Sequence, residues 1–563
     1  MTIIQLLIIV PLVYLLGFLP GRLILEFLPF PKEVKFAASF ALTFILYYLI
    51  GFLSYFLNFN PSIIHLTFLF LVLLWGGIIS KRRHLTLVQE KDLHKTFFFT
   101  YVVIVALQGL LPIYSGGLWY FDWFEHFQRM LFFLKDLPLN FSFGPYLLTG
   151  RPPFFNIVTY FYQSILGDEF WIYQVVATLL NTVVLLPCFL LCRDILGLGK
   201  HKNLFIFICA LFLLNPAFIK HATFTWTKSL SAFYVLMGIY FYWRARVENQ
   251  TSSFLISAGL LSASYLTHYS AGIYILPLFA HFSLVSLLNL KRQLLRLILF
   301  FSIFLFLLLP WFGWATIKYG SYQTFLGNTA YEWQKDITVA ARIKKDSTNL
   351  IYTFLPLIPK NYITLVNSQT NTFVKLHDLA IYFYLSTIPG NLTIGISLFL
   401  LIYLFKGGLK QQITFIAYLL ITSIIGLVVY PTLAKGMANI TLLPLAFMLF
   451  CLAIKSLFYF KFIKKLPTAF FVVITILMIF DGILGIGLRV YTLGFELIPG
   501  KNSGFTLPIH ADNYKLKTEN HLVFLYDKFF MFEPFFWTLA VLGWLWAIKI
   551  IAYTLITREK IAN

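Results

Sequence analysis

The sequence predicts an all-α, polytopic membrane protein, and three observations predict it. Of its 563 residues, 60% are hydrophobic and only 12% are charged, whereas a soluble domain is roughly half apolar. Mean hydropathy is +0.82. Apolar runs near the ~20-residue length that crosses a hydrocarbon core recur from end to end, leaving no room for a large separate soluble domain. Spans are expected at 2–19, 35–57, 61–80, 96–113, 171–192, 203–217, 229–244, 253–267, 271–289, 297–317, 391–406, 412–430, 437–454, 468–487 and 535–556. That makes a bundle of about 13–15 transmembrane helices.

In chain order, the N-terminus "MTIIQLLIIVPLVYLLGFLPGR" lacks a basic n-region and a small-residue cleavage site. It reads as a retained first span rather than a signal peptide. Cations then cluster in short connections: "KRRH" at 81–84, "CRDILGLGKHK" at 192–202, "WRAR" at 243–246, "LKRQLLR" at 290–296, "FKGGLK" at 405–410, "KSLFYFKFIKK" at 455–465 and "TREK" at 557–560. If the spans alternate, all of these fall on one side, which the positive-inside rule makes the cytoplasm. The net charge of +21 therefore reads as loop charge, not as a nucleic-acid surface. The opposite face receives three long loops, 114–170, 318–390 and 488–534, an asymmetry that suits an enzyme of the outer leaflet better than a channel. Cys188, Cys192, Cys209 and Cys451 lie in or at the ends of apolar runs, without zinc-ligand spacing, as small buried hydrophobes do.

The first long loop contains "YFDWFEHFQRMLFF", residues 120–133. On a helix, Asp122, Glu125, His126 and Arg129 fall at i, i+3, i+4 and i+7, one stripe. Trp123, Phe124, Phe127 and Met130 take the other faces. Such a helix is expected to lie in the membrane interface with its polar edge toward water or a protein cavity. The plainer reading is an anchor whose four groups pair with one another. Other polar residues reach the same face: Arg151 in the same loop, Lys220, His221 and Lys228 in "NPAFIKHATFTWTKSLS", His268 and Tyr269 in "SYLTHYSAGIY", and Lys435 in "YPTLAKGMAN". Singly, each is an ordinary headgroup-contacting side chain. Together they supply a carboxylate cluster and several cations.

That pairing has a chemical use. Moving a sugar from a lipid phosphate to a hydroxyl needs a base for the acceptor proton, which a carboxylate provides. It also needs positive charge where the phosphate oxygen leaves. Asp481, deep in the 468–487 run, stands apart. A charge at that depth is usually functional or paired, and Arg489 follows on roughly the same face, so a structural pairing and a catalytic role both remain open.

The stretch "GGLWYFDWFEHFQRMLFFLKDLP", then "GRPPFFN", "FTWTKSLSAFYVLMGIYFYWRA" and "LTHYSAGIYILPL", resembles the GT-C glycosyltransferase superfamily, which includes the protein O-mannosyltransferases and the lipid A aminoarabinose transferases. The resemblance covers roughly residues 96–320. It implies a GT-C-like helical bundle with interfacial helices in its outer loops, and three additional helices within 1–95 ahead of the catalytic core. The outer loop 321–390 would cover the site, and 391–563 would be a variable C-terminal set of helices. By resemblance the catalytic carboxylate is Asp122. Related enzymes usually show two adjacent acids there, and here the second is Glu125, one turn on. His126, Arg151, Lys228, His268, Tyr269 and Lys435 would bind the donor phosphate or substrate.

The resemblance further implies an inverting transfer from a polyprenyl-phosphate sugar to a glycan, lipid or protein acceptor. It also implies a multi-pass protein of a bacterial inner membrane, with its site facing the periplasm or exterior and a product in the cell-envelope glycans. Some relatives use a divalent cation near the acidic motif and others none, and Glu125 and His126 are the two side chains available as ligands. Two further readings stay open: a transporter or flippase for a lipid-linked saccharide, and a polysaccharide polymerase or ligase. A transporter calls for midplane charges and symmetric broken helices, and Asp481 is the one deep carboxylate seen in the sequence.

Overall fold

The computed structural model describes residues 3–82, 90–114, 122–143, 146–288, 290–327, 338–358, 360–367, 371–404, 417–418, 420–422, 424–425, 442–459, 467–496 and 522–556. The helices, in order, are α1 (Ile4–Leu25), α2 (Lys32–Phe56), α3 (Pro61–Arg82), α4 (Lys91–Gly109), α5 (Asp122–Lys135), α6 (Phe154–Leu166), α7 (Phe170–Thr182), α8 (Leu185–Leu190), α9 (Leu204–Leu213), α10 (Pro216–Thr223), α11 (Lys228–Glu248), α12 (Thr251–Thr267), α13 (Gly272–Leu288), α14 (Leu290–Phe325), α15 (Val339–Phe354), α16 (Lys360–Asn367), α17 (Thr372–Ser386), α18 (Ile388–Leu392) and α19 (Ile394–Tyr403). Helices at Leu443–Tyr459, Thr468–Gly482 and Glu533–Ile556 follow. The protein is an all-helical, multi-pass integral membrane protein.

Among the described residues, eight helices are long and apolar enough to cross a membrane, or nine if α9 and α10 form one bent span. The sequence suggested about fifteen. Helix occupies nearly every expected span, while 412–430 lies largely outside the described residues. The count differs because inner helices face protein instead of lipid, where breaks and polar residues are tolerated. The run 170–195 is built from α7, α8 and a π-helical turn, and is wholly buried over 170–192. α9 stops after ten residues, and the chain turns by 79° into α10. By contrast, α3 and α14 expose rows of large apolar side chains, among them Phe70, Leu74, Trp75, Phe306 and Leu309, as lipid-facing helices do. α14 breaks at Gly320, where φ is 78°, a conformation glycine adopts without a Cβ penalty.

One apolar core runs from Leu6 to Leu555. The N-terminal helices belong to it: Tyr47 of α2 stacks on Phe161 of α6 at 3.8 Å, and the Tyr234 hydroxyl of α11 donates to the Ala41 carbonyl at 2.9 Å. α2 also orders the two ends of the bundle. At its start, Glu33 accepts an ion pair from Arg193 at 2.7 Å, and Arg244 lies 5.2 Å over the nearby Phe30 ring. At its far end, Tyr55 packs edge-on against Phe133 of α5 at 5.1 Å. α2 has 25 residues, so about 37 Å of helix separates the cation clusters at 192–202 and 243–246 from the acidic stretch.

Candidate active site

α5 forms where the 3.6-residue period of its sequence places it, and Asp122, Glu125, His126 and Arg129 do share one face. Its surroundings are protein: α5 is buried on nearly all sides. Trp123 packs against Tyr114, Phe170 and Phe524 at 5.2–5.4 Å, and Phe127 meets Phe170 and Tyr173. Tyr114 and aromatic faces from α7 and the segment before Glu533 offer these rings closer partners than a headgroup layer would. The strip of hydrophobics that looked lipid-facing is protein core.

Burial decides what each ionisable group does. Arg129 is fully buried and is satisfied on all sides. Its Nε and Nη2 donate to Glu125 Oε1 at 3.0 and 2.6 Å, Nη2 reaches the Leu147 carbonyl at 3.1 Å and Nη1 donates to the Leu148 carbonyl. Its guanidinium also lies 4.4 Å over the Phe143 ring. Arg151, at the mouth of this cluster, contacts Glu125 at 3.4 Å through Nε and Nη2, and Asp122 Oδ1 at 3.3 Å through Nη2. Burial alone would raise the Glu125 carboxyl, but the guanidiniums of Arg151 and Arg129 outweigh it and hold it at about 2. Asp122 goes the other way. Burial raises its carboxyl, and Arg151 opposes the rise without cancelling it.

The two acids thus divide. Glu125 is locked into an ion-paired network. Asp122 keeps 21% of its side chain accessible, beside an Arg151 that keeps 23%. A carboxylate with raised basicity and an open side can take a proton.

Lys228, the first residue of α11, is buried with its Nζ 2.5 Å from His268 Nε2, while His268 Nδ1 meets the Ser270 hydroxyl at 2.7 Å. The charges of Asp122, Glu125 and Arg151 all act on Lys228, so this pair belongs to the same polar region. The Tyr269 hydroxyl donates to the Thr149 carbonyl at 3.2 Å, tying the turn after α12 to the loop that carries Arg151. Asp122, Glu125, Arg151, Lys228, His268 and Tyr269 are therefore brought to one place. Lys435 lies outside the described residues.

His126 Nδ1 pairs with Asn156 Oδ1 at 3.2 Å, and burial lowers the imidazole to about 3, with Arg151 and Arg129 adding to the effect and Glu125 opposing it. Among the described residues, no three His, Cys, Asp or Glu side chains converge as metal ligands.

Asp481 proves to be architectural. Its Oδ2 accepts from the Ile394 and Gly395 backbone N–H groups at 2.9 and 3.5 Å, and its Oδ1 accepts from the Tyr384 hydroxyl at 2.8 Å. It caps the N-terminus of α19 from another span, where the helix dipole favours negative charge. It does not pair with Arg489. Asn156 escaped the sequence reading because nothing local marks it. The Glu125–Arg129 pair was readable from its i,i+4 spacing, but not the burial that makes it tight.

No family model matches this chain, and no curated protein matches it. Among solved structures, the chain is similar to the crystal structure of ArnT from Cupriavidus metallidurans bound to undecaprenyl phosphate. The similarity covers 84% of this chain and 76% of that one, at 13% identity and a TM-score of 0.41.

Proposed function

We propose that this protein is a membrane glycosyltransferase of the GT-C type, moving a sugar from a polyprenyl-phosphate carrier to an acceptor hydroxyl on the non-cytoplasmic side. The observation that carries the reading is the asymmetry of the α5 acids: Asp122 is raised in basicity and partly accessible beside Arg151, while Glu125 is fully engaged in holding that guanidinium in place. In the transfer step, the acceptor oxygen forms its bond to the anomeric carbon on the face opposite the lipid phosphate. The carbon–oxygen bond to the phosphate breaks, and the acceptor proton passes to the Asp122 carboxylate. The electron pair leaves on the phosphate oxygen, where Arg151 and Lys228 stabilise it. Inversion follows from this in-line geometry. The orientation rests on α2, whose cation-rich end is the cytoplasmic one by the positive-inside rule.

The test is sugar transfer by purified Asp122→Asn with a short-chain polyprenyl-phosphate sugar. The proposal expects turnover lost by about 10²–10⁴-fold with folding retained, and full turnover would remove Asp122 as the base. A polymerase or ligase would use the same bond-making step, so the acceptor found to carry the sugar separates that reading. The transporter reading has less to stand on, because Asp481 is consumed by the α19 cap.

A further inference from the structure

Beyond the α5 cluster, a second group of polar side chains meets where α10, α17 and the helical run 468–496 converge. Pro216, the first residue of α10, lies directly on this run: a Cβ at Gly485 would sit 2.3 Å from Pro216 Cβ and 2.8 Å from the Tyr384 ring of α17. The run is π-helical over Ile483–Gly487, and Arg489 follows on its next turn. Arg489 is 2% exposed, yet its Nε, Nη1 and Nη2 have no hydrogen-bond partner among the described residues. His221 on α10 is fully buried with both ring nitrogens unpartnered, and so is Nε2 of buried His377 on α17. Electrostatic coupling of Arg489 to Lys220, His221 and His377 puts the four on one centre, and His221, on which Lys228 also acts, borders the α5 site. Among the described residues Asp378 is the acid acting there, and its carboxylate is held by His377 Nδ1 at 3.0 Å.

A guanidinium buried without an acceptor costs several kcal/mol or more. A fold keeps such a group where something else supplies the acceptor. Three elements bring unpartnered polar nitrogens to one place, with the Arg489 guanidinium supplying the donors, and the charge there is positive. We propose that Arg489, His221 and His377 form an oxyanion pocket for a phosphate group, distinct from the Arg151–Lys228 pair and independent of whether Asp122 is the catalytic base. The phosphate can be lipid-borne or free; the two share the chemistry of several acceptor oxygens around one negative centre.

The experiment is calorimetric titration of the purified full-length protein in neutral detergent with decyl phosphate, with inorganic phosphate, and with decanol as the uncharged control. Saturable binding of decyl phosphate that Arg489→Gln weakens at least about tenfold, and that decanol does not reproduce, supports a lipid-borne ligand. The same pattern with inorganic phosphate supports a free one. Binding that is equal in wild type and Arg489→Gln, or absent with both phosphates, overturns the pocket.

Arg489→Met guards against a merely structural role. Replacing an orphaned cation by an apolar side chain of similar length should raise the thermal midpoint of the ligand-free protein while abolishing binding, whereas loss of a structural arginine lowers it. Failure of the glycosyltransferase reading would show elsewhere, as turnover by Asp122→Asn with phosphate binding intact.

Discussion

Two carboxylates in this chain do opposite things: Asp481 is fully buried within a span, and Asp122 is partly accessible on α5. Asp481 accepts two backbone N–H groups and a tyrosine hydroxyl, and nothing about it is left over. Asp122 shares one arginine with Glu125 and keeps an open side. A carboxylate whose acceptor capacity is used up by its own protein is scaffold. One that is only partly satisfied, next to a guanidinium pinned by another acid, has capacity reserved for something that arrives. Depth in an apolar run left Asp481 open between the two roles, because it measures cost and not satisfaction.

The comparison can be broken most sharply at its functional pole. Asp122→Asn should cut transfer by about 10²–10⁴-fold without changing the thermal midpoint, and a variant that unfolds would put Asp122 with the scaffold. Next comes Glu125→Ala, which leaves Arg129 buried with its ion-pair partner gone and should cost about 3–5 kcal/mol of stability, measured by thermal or denaturant unfolding in detergent. If it folds as well as wild type, the engaged acid is not structural. Asp481→Asn should cost less, about 1–3 kcal/mol, while transfer by the folded fraction stays near wild type. Arg151→Ala, Lys228→Ala and His268→Ala should raise the KM for the lipid-phosphate donor more than that for the acceptor. Equal changes in both constants would move these residues to a structural role.

The smallest effect is on pH. Asp122 works as the ionised form, so activity should fall as pH drops through its raised carboxyl value, at a higher pH than an ordinary aspartate gives. Glu125, held at about 2, should stay ionised across that limb. Its contribution to stability is present above the unfolded value of roughly 4.3 and is lost only as pH falls toward its folded value. An activity profile flat down to pH 4 would argue against Asp122 as base.

The helical class, the position of nearly every span and the stripe on α5 were legible because each depends on a local period or run length. What lay across from each residue was not. Trp123 and Phe127 looked lipid-facing because hydropathy registers that a side chain avoids water, not whether it meets a lipid tail or Phe170. Asp481 stayed ambiguous for the same reason: its partners at 384, 394 and 395 are distant in sequence. Arg489 showed the converse failure, a residue that sequence offered as a salt-bridge partner and that has none among the described residues.

The bend between α9 and α10 has a consequence for the thickness of the barrier itself. Ten residues of α9 rise about 15 Å, half of a hydrocarbon slab about 30 Å deep. Asn215 secures the corner, accepting from the Phe218 N–H at 3.0 Å and donating to the Asn391 carbonyl at 2.9 Å, so the backbone turns without exposing its polar groups to oil. Above that corner the chain replaces about a leaflet's worth of insulation with Lys220, His221 and their neighbours. A headgroup entering there would keep polar company well below the plane at which its lipid neighbours are hydrated, with its tail still in the oil.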